Sequence, residues 1–140
     1  MATLKTNTLT GTSTAGSIAV TGEGNSTTTN LQQGLVKAWT KFEGTSTASG
    51  EDSFNVDSIT DHGTGDFGVN ITNDFANQGY AAVTDNSSDS GHVSANYGAD
   101  GGTGNRYAAG IFRIYIFEAT SGSGATDSTH VCAILTGDLA

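Results

Sequence analysis

The chain has 140 residues, 35% of them hydrophobic and only 14% charged, with 20 glycines, no proline and a net charge of −9. That length suits one domain with a short arm, and so polar a composition buries little apolar surface per residue, which favours self-association over a lone monomer. Five basic residues against fourteen acidic ones give no cationic footprint, so neither nucleic acid nor an anionic membrane is an expected partner.

Residues 1–33 are rich in Thr, Ser and Gly, with apolar residues thinly spaced at Leu4, Leu9, Ile18, Val20 and Leu31. They cannot build a core of their own, and composition alone fits a disordered tail equally well. Ser17 to Thr21 has strand character, so the segment is read as an extended anchoring arm. Such an arm orders by adding to another chain, with main-chain bonds giving affinity. The opening MATLKTNTLTG has no apolar signal-peptide core and no stretch is long enough to span a bilayer, which predicts synthesis in a cytosol. Asn30 is placed to cap one short turn before Ala38.

Residues 34–140 follow a period of two. In a strand from Leu35 to Glu43, Val36, Ala38, Thr40 and Phe42 share one face, with Leu35, Lys37, Trp39 and Lys41 on the other. A Gly/Ser/Thr loop follows. A strand from Phe54 to Thr60, with Phe54 and Val56 on one face, then leads through DHGTGD to Phe67–Ile71. Tyr80 to Thr84 is a short strand, and Val93, Ala95 and Tyr97 alternate. Ile111 to Ala119 (IFRIYIFEA) reads as a central strand buried on both faces, and His130 to Thr136 closes the domain. Seven strands joined by Gly, Asn, Asp and Ser loops predict an all-β, antiparallel, jelly-roll-like sandwich.

The chemistry-bearing residues point away from turnover. Asp61 and Asp66 flank glycines as a calcium loop would, but the ligand set of an EF-hand is missing, and a hairpin turn is the better reading. His130 and Cys132 share a strand face, yet zinc needs three or four ligands, and His62 and His92 lie elsewhere in the chain. Cys132 is the only cysteine and has no assignable general base. The glycine-rich Gly98 to Asn105 lacks the Lys-Ser/Thr of a phosphate loop. No catalytic residue, metal or cofactor is therefore expected. Trp39, Tyr80, Tyr97, Tyr107 and Tyr115 fit a core or subunit interface better than a sugar platform. Tyr97, Arg106 and Tyr107 flank the glycine loop and are the candidates for an exposed binding loop. Arg113, inside an apolar strand, calls for a carboxylate, with Glu118 or a neighbouring subunit as candidates.

The segments GLVKAW (Gly34 to Trp39), DSFNVDSITD (Asp52 to Asp61), GTGDF (Gly63 to Phe67) and Val69-Asn70, together with a closing VCAILTGD (Val131 to Asp138), resemble a domain recurrent in the virion proteins of tailed phages, frequent in marine phages. The resemblance covers roughly residues 20–138; residues 85–106 carry none of it. Two positions depart from the pattern: His62 stands where Asn is usual, and Gly68 where a β-former is usual. The resemblance implies a virion structural protein assembled in the host cytoplasm. It would be a non-enzymatic surface appendage (short fibre, knob or capsid decoration), homotrimeric by analogy and anchored to a capsid or tail protein. The alternative it leaves open is a tail module that binds a host surface glycan. It carries no catalytic residues.

Overall fold

The computed structural model describes residues 3–13, 18–22, 24–45, 48–87, 92–95, 107–118 and 124–140. The chain divides into two compact units, Met1–Leu35 and Val36–Ala140.

In the first unit, Thr3 to Ser13 carry no regular secondary structure. Strands β1 (Ala19–Thr21) and β2 (Thr28–Asn30) pair antiparallel. Their connection closes with Gly22 N donating to Thr27 O (2.9 Å), and Asn25 takes the left-handed conformation (φ 52°) that Asn tolerates. Residues 18–35 thus fold back on themselves rather than extending as one arm. Asn30 does cap the following turn: its Oδ1 accepts from Gln32 N at 2.8 Å.

The second unit is an antiparallel sandwich. Its strands are β3 (Val36–Glu43), β4 (Ser49–Phe54), β5 (Val56–Gly63), β6 (Asp66–Ile71), β7 (Ala81–Ser87), β8 (His92–Ala95), β9 (Tyr107–Ala108), β10 (Ile111–Glu118) and β11 (His130–Thr136). One sheet runs β4-β3-β11-β7; the other runs β5-β6-β10-β8, with β9 also on β10. Inward residues of both sheets form one core: Ala38 and Phe42 of β3, Phe67, Val69 and Ile71 of β6, Phe112, Ile114 and Ile116 of β10, and Val131, Ala133 and Leu135 of β11. Phe42 and Phe67 meet edge-on across the sheets with ring centroids 5.3 Å apart. Tyr80 seals one end. It stacks on Phe75 at 4.3 Å, and its hydroxyl donates to Ile111 O at 3.1 Å.

Several details differ from the sequence reading. The strand expected from Phe54 to Thr60 breaks at Asn55, which has φ 57° and carries the chain from one sheet to the other. Phe54 and Val56 therefore lie on different sheets. Asn55 ties the corner through its amide: Nδ2 donates to Lys37 O (3.0 Å) and Asn73 O (3.2 Å), and Oδ1 accepts from Asn73 N (2.8 Å) and Asn73 Nδ2 (2.9 Å). The polar loop expected before Phe54 is largely strand β4, exposed at all six residues and held by its pairing to β3. Strand β10 is buried on one face only; Ile111, Arg113, Tyr115 and Phe117 are half-buried on the other. Val36 is 44% exposed while Lys37 is buried, because a register shift opposite Leu135/Thr136 inserts one extra residue.

The Asp61–Asp66 segment is a hairpin turn. Gly63 (φ 129°) and Gly65 (φ 68°) supply positive φ, and Asp61 Oδ1 accepts from Gly63 N at 2.8 Å. Gly65 N donates to Asp127 Oδ1 at 2.7 Å. Asp66 is engaged by Arg113, whose Nε donates to Oδ1 at 2.9 Å, with side chains only 18% and 14% exposed; the partner of Arg113 is thus Asp66, not Glu118. On β5 and β6 the ring of His62 lies over Gly68, where a Cβ would stand 2.9 Å from its Nε2.

Candidate interaction surface

Strand alternation puts every second residue of the β4-β3-β11-β7 sheet on its outer face, and the register lines those residues up in rows. Ile134 pairs with Val83 on one side and Trp39 on the other, and Trp39 pairs with Phe54. Val83, Ile134, Trp39 and Phe54 thus make one apolar row across all four strands. Val83 is 69% exposed, Phe54 54% and Ile134 47%, with Trp39 half-buried between its neighbours. Single exposed apolar residues need no explanation, whereas a contiguous row on a sheet face is the candidate for an interaction surface.

The row has two different borders. On one side lie Ala81, Thr136 and Val36, all uncharged. On the other lie Asp85, Cys132, Lys41 and Asp52, with Ser87, His130, Glu43 and Ser49 beyond. Lys41 pairs with Glu51; this hydrogen bond lowers the Glu51 carboxyl and raises the Lys41 ammonium relative to their ordinary values. Lys41 is thereby neutralised locally, and the border as a whole stays acidic.

Asp85, Asn86, Ser87, His130 and Cys132 line a depression of about 170 Å³ at the β7–β11 end. Ser87 Oγ is 3.2 Å from His130 Nδ1, and His130 Nε2 is 4.0 Å from Glu51 Oε1. The order Ser–His–Glu is that of a hydrolase triad, but its geometry is not. The carboxylate is beyond hydrogen-bond reach, and His130 and Glu51 are 49% and 39% exposed, so no carboxylate holds the imidazole in a fixed tautomer and orientation. Burial, and then the Asp85 carboxylate, push the Cys132 thiol up, which keeps it protonated and unreactive at neutral pH. Among the described residues no group of three or more His, Cys, Asp or Glu side chains is placed to hold a metal ion.

In the first unit, Leu4 is 76% exposed, Leu9 56% and Val20 48%, while Ile18 and Leu31 are half-buried. Val20, Thr29, Asn30, Leu31, Gly34 and Leu35 line an apolar cup of about 210 Å³. Of the candidate loop residues, Tyr97 and Arg106 lie outside the described residues, and Tyr107 is described only as backbone of β9. Tyr80 belongs to the core, whereas Trp39 faces outward. Sequence reading separated the two faces from Ala38 onward, not at Val36 and Lys37, and it missed the apolar row, because the row depends on pairing between strands up to about 95 residues apart in sequence, which periodicity does not encode. No family model, curated protein or solved structure matches this chain.

Proposed function

We propose that this chain is a bacteriophage virion structural protein: a non-enzymatic, oligomeric surface appendage that works by binding alone. It is a short fibre, knob or capsid decoration, homotrimeric, anchored through residues 1–33 to a capsid or tail protein and displaying the sandwich. Its place is the virion, assembled in the host cytoplasm. The observation that carries this reading is the apolar row Val83–Ile134–Trp39–Phe54, a surface suited to protein contact, on a sandwich in which Asp66 is held by Arg113 and Asp61 by the Gly63 amide. The resemblance of Gly34–Phe67 to the phage virion domain supports the biological setting. The net charge of −9 argues against nucleic acid as a partner.

The outward face of Trp39 favours one second reading, a tail-associated glycan-binding module, since an aromatic face stacks on a sugar ring. Immunogold labelling of purified particles with an antibody to residues 34–140 tests the proposal. Label over the capsid means decoration, and label on the tail makes glycan screening the next step. Particles without label would overturn the virion assignment.

A further inference from the structure

We infer that the outer face of the β4-β3-β11-β7 sheet receives the N-terminal segment Thr3–Ser13 of a second copy of this chain. The inference rests on the oligomeric-appendage reading and names the surface and the occupant within it. It would assign this segment to a neighbouring copy and leave the Ile18–Leu35 hairpin, with its apolar cup, for the virion.

Charge selects the occupant. Residues 36–140 hold four basic side chains against thirteen acidic ones, a net of −9, so two such bodies repel when brought face to face. The first 22 residues hold a single charged side chain, Lys5, and no carboxylate. They are the longest acid-free stretch of the chain next to its N-terminus, and the one that can approach the acidic border of Asp85, Asp52 and Glu51 without penalty. Lys5 sits beside Leu4, so the cation and the apolar anchor arrive together, as the apolar row and its acidic border require.

Size agrees. The row crosses four strands, three spacings of about 4.8 Å, or roughly 14 Å. Leu4 and Leu9 are five residues apart and reach at most ~17 Å when extended. In a regular strand they would face opposite sides. The local bonds Thr6 Oγ1 to Thr8 O (2.7 Å) and Thr8 N to Thr6 Oγ1 (3.2 Å) bend the chain between them and break that alternation. Both leucines are more than half exposed, as are Val83 and Phe54. A segment of one copy on a face of the next is a head-to-tail contact, and closing it gives a ring. Three copies satisfy this, which accords with the trimer proposed above.

The test measures mass in solution, by light scattering after gel filtration, on the full chain. One variant combines Leu4→Asp with Leu9→Asp; the other combines Val83→Lys with Phe54→Lys; circular dichroism verifies that each is folded. Should the face pair fail to fold, Val83→Lys alone, at the most exposed position of the row, replaces it. The wild type is expected to be oligomeric, and each variant alone at least tenfold weaker in self-association. A one-to-one mixture of the two is expected to regain a larger species, because one copy keeps an intact face and the other an intact segment. A monomeric wild type, a segment variant that assembles like the wild type, or a mixture that stays monomeric overturns the inference. Particle labelling with a monomeric protein would sink this inference together with the trimer and leave the virion setting standing, whereas an oligomer that labels no particle would sink the virion reading alone.

Discussion

Replacing Asn55 separates two physical contributions at the corner between the sheets. Asn55→Ala removes four hydrogen bonds and places a Cβ-bearing residue without Asn's local bonding at φ 57°. Only the bond to Lys37 O is partly buried, so the exposed three are replaced by water at small cost. Taking about 0.5 kcal/mol per bond, at the low end of net hydrogen-bond contributions, gives about 2 kcal/mol. The left-handed backbone adds about 1 kcal/mol for Ala, for a total near 3 kcal/mol. Asn55→Gly loses the same bonds but adopts the conformation freely, so it is expected to cost about 1 kcal/mol less than Ala. Urea unfolding monitored by far-UV circular dichroism reads both as shifts in midpoint at constant slope. Equal losses for Ala and Gly would show that backbone conformation plays no part at Asn55. A loss under about 1 kcal/mol for Ala would show that the amide does not hold the corner.

Three other outcomes follow from the same geometry. Gly65→Ala combines φ 68° with a Cβ 2.4 Å from Ile116 O and 2.8 Å from Thr126 O, and is expected to lower stability by more than about 3 kcal/mol in urea unfolding; an effect within about 0.5 kcal/mol refutes the packing described. Arg113→Met strands the mostly buried Asp66 and is expected to cost about 2–4 kcal/mol, with Arg113→Met/Asp66→Asn recovering at least ~1 kcal/mol of the summed loss; strict additivity in the double-mutant cycle would deny the pairing. Cys132, whose folded-state pKa is raised, holds its proton longer than in the unfolded chain. Its contribution to stability is therefore present at neutral pH and falls as pH rises past the unfolded thiol value of about 8.5. Iodoacetamide should alkylate it several-fold more slowly in the folded protein than in urea at pH 8, and equal rates by mass spectrometry would contradict the burial.

What was legible in the sequence was whatever local periodicity controls. Phe67, Val69 and Ile71 alternate with polar or small residues and point into the core, as do Ala38, Thr40 and Phe42. Strand β4 was invisible because SGEDSF buries no side chain; only its backbone is used, by β3. The break at Asn55 was hidden inside an apparently continuous FNVDSIT because Asn is compatible with both a strand and a left-handed corner, and the choice is made by Asn73 and Lys37, distant in sequence. The apolar row was the least legible part. Val83, Ile134, Trp39 and Phe54 come from four separate segments, and no local signal says that they meet.

The His62 ring over Gly68 couples two positions on neighbouring strands. A side chain at residue 68 and an imidazole at residue 62 compete for one volume, so each substitution changes which partners are tolerated at the other. The ring is exposed and free to turn, so the consequence is one of rotamer choice: bulk at 68 swings the imidazole out toward solvent, and glycine leaves it room over the neighbouring strand.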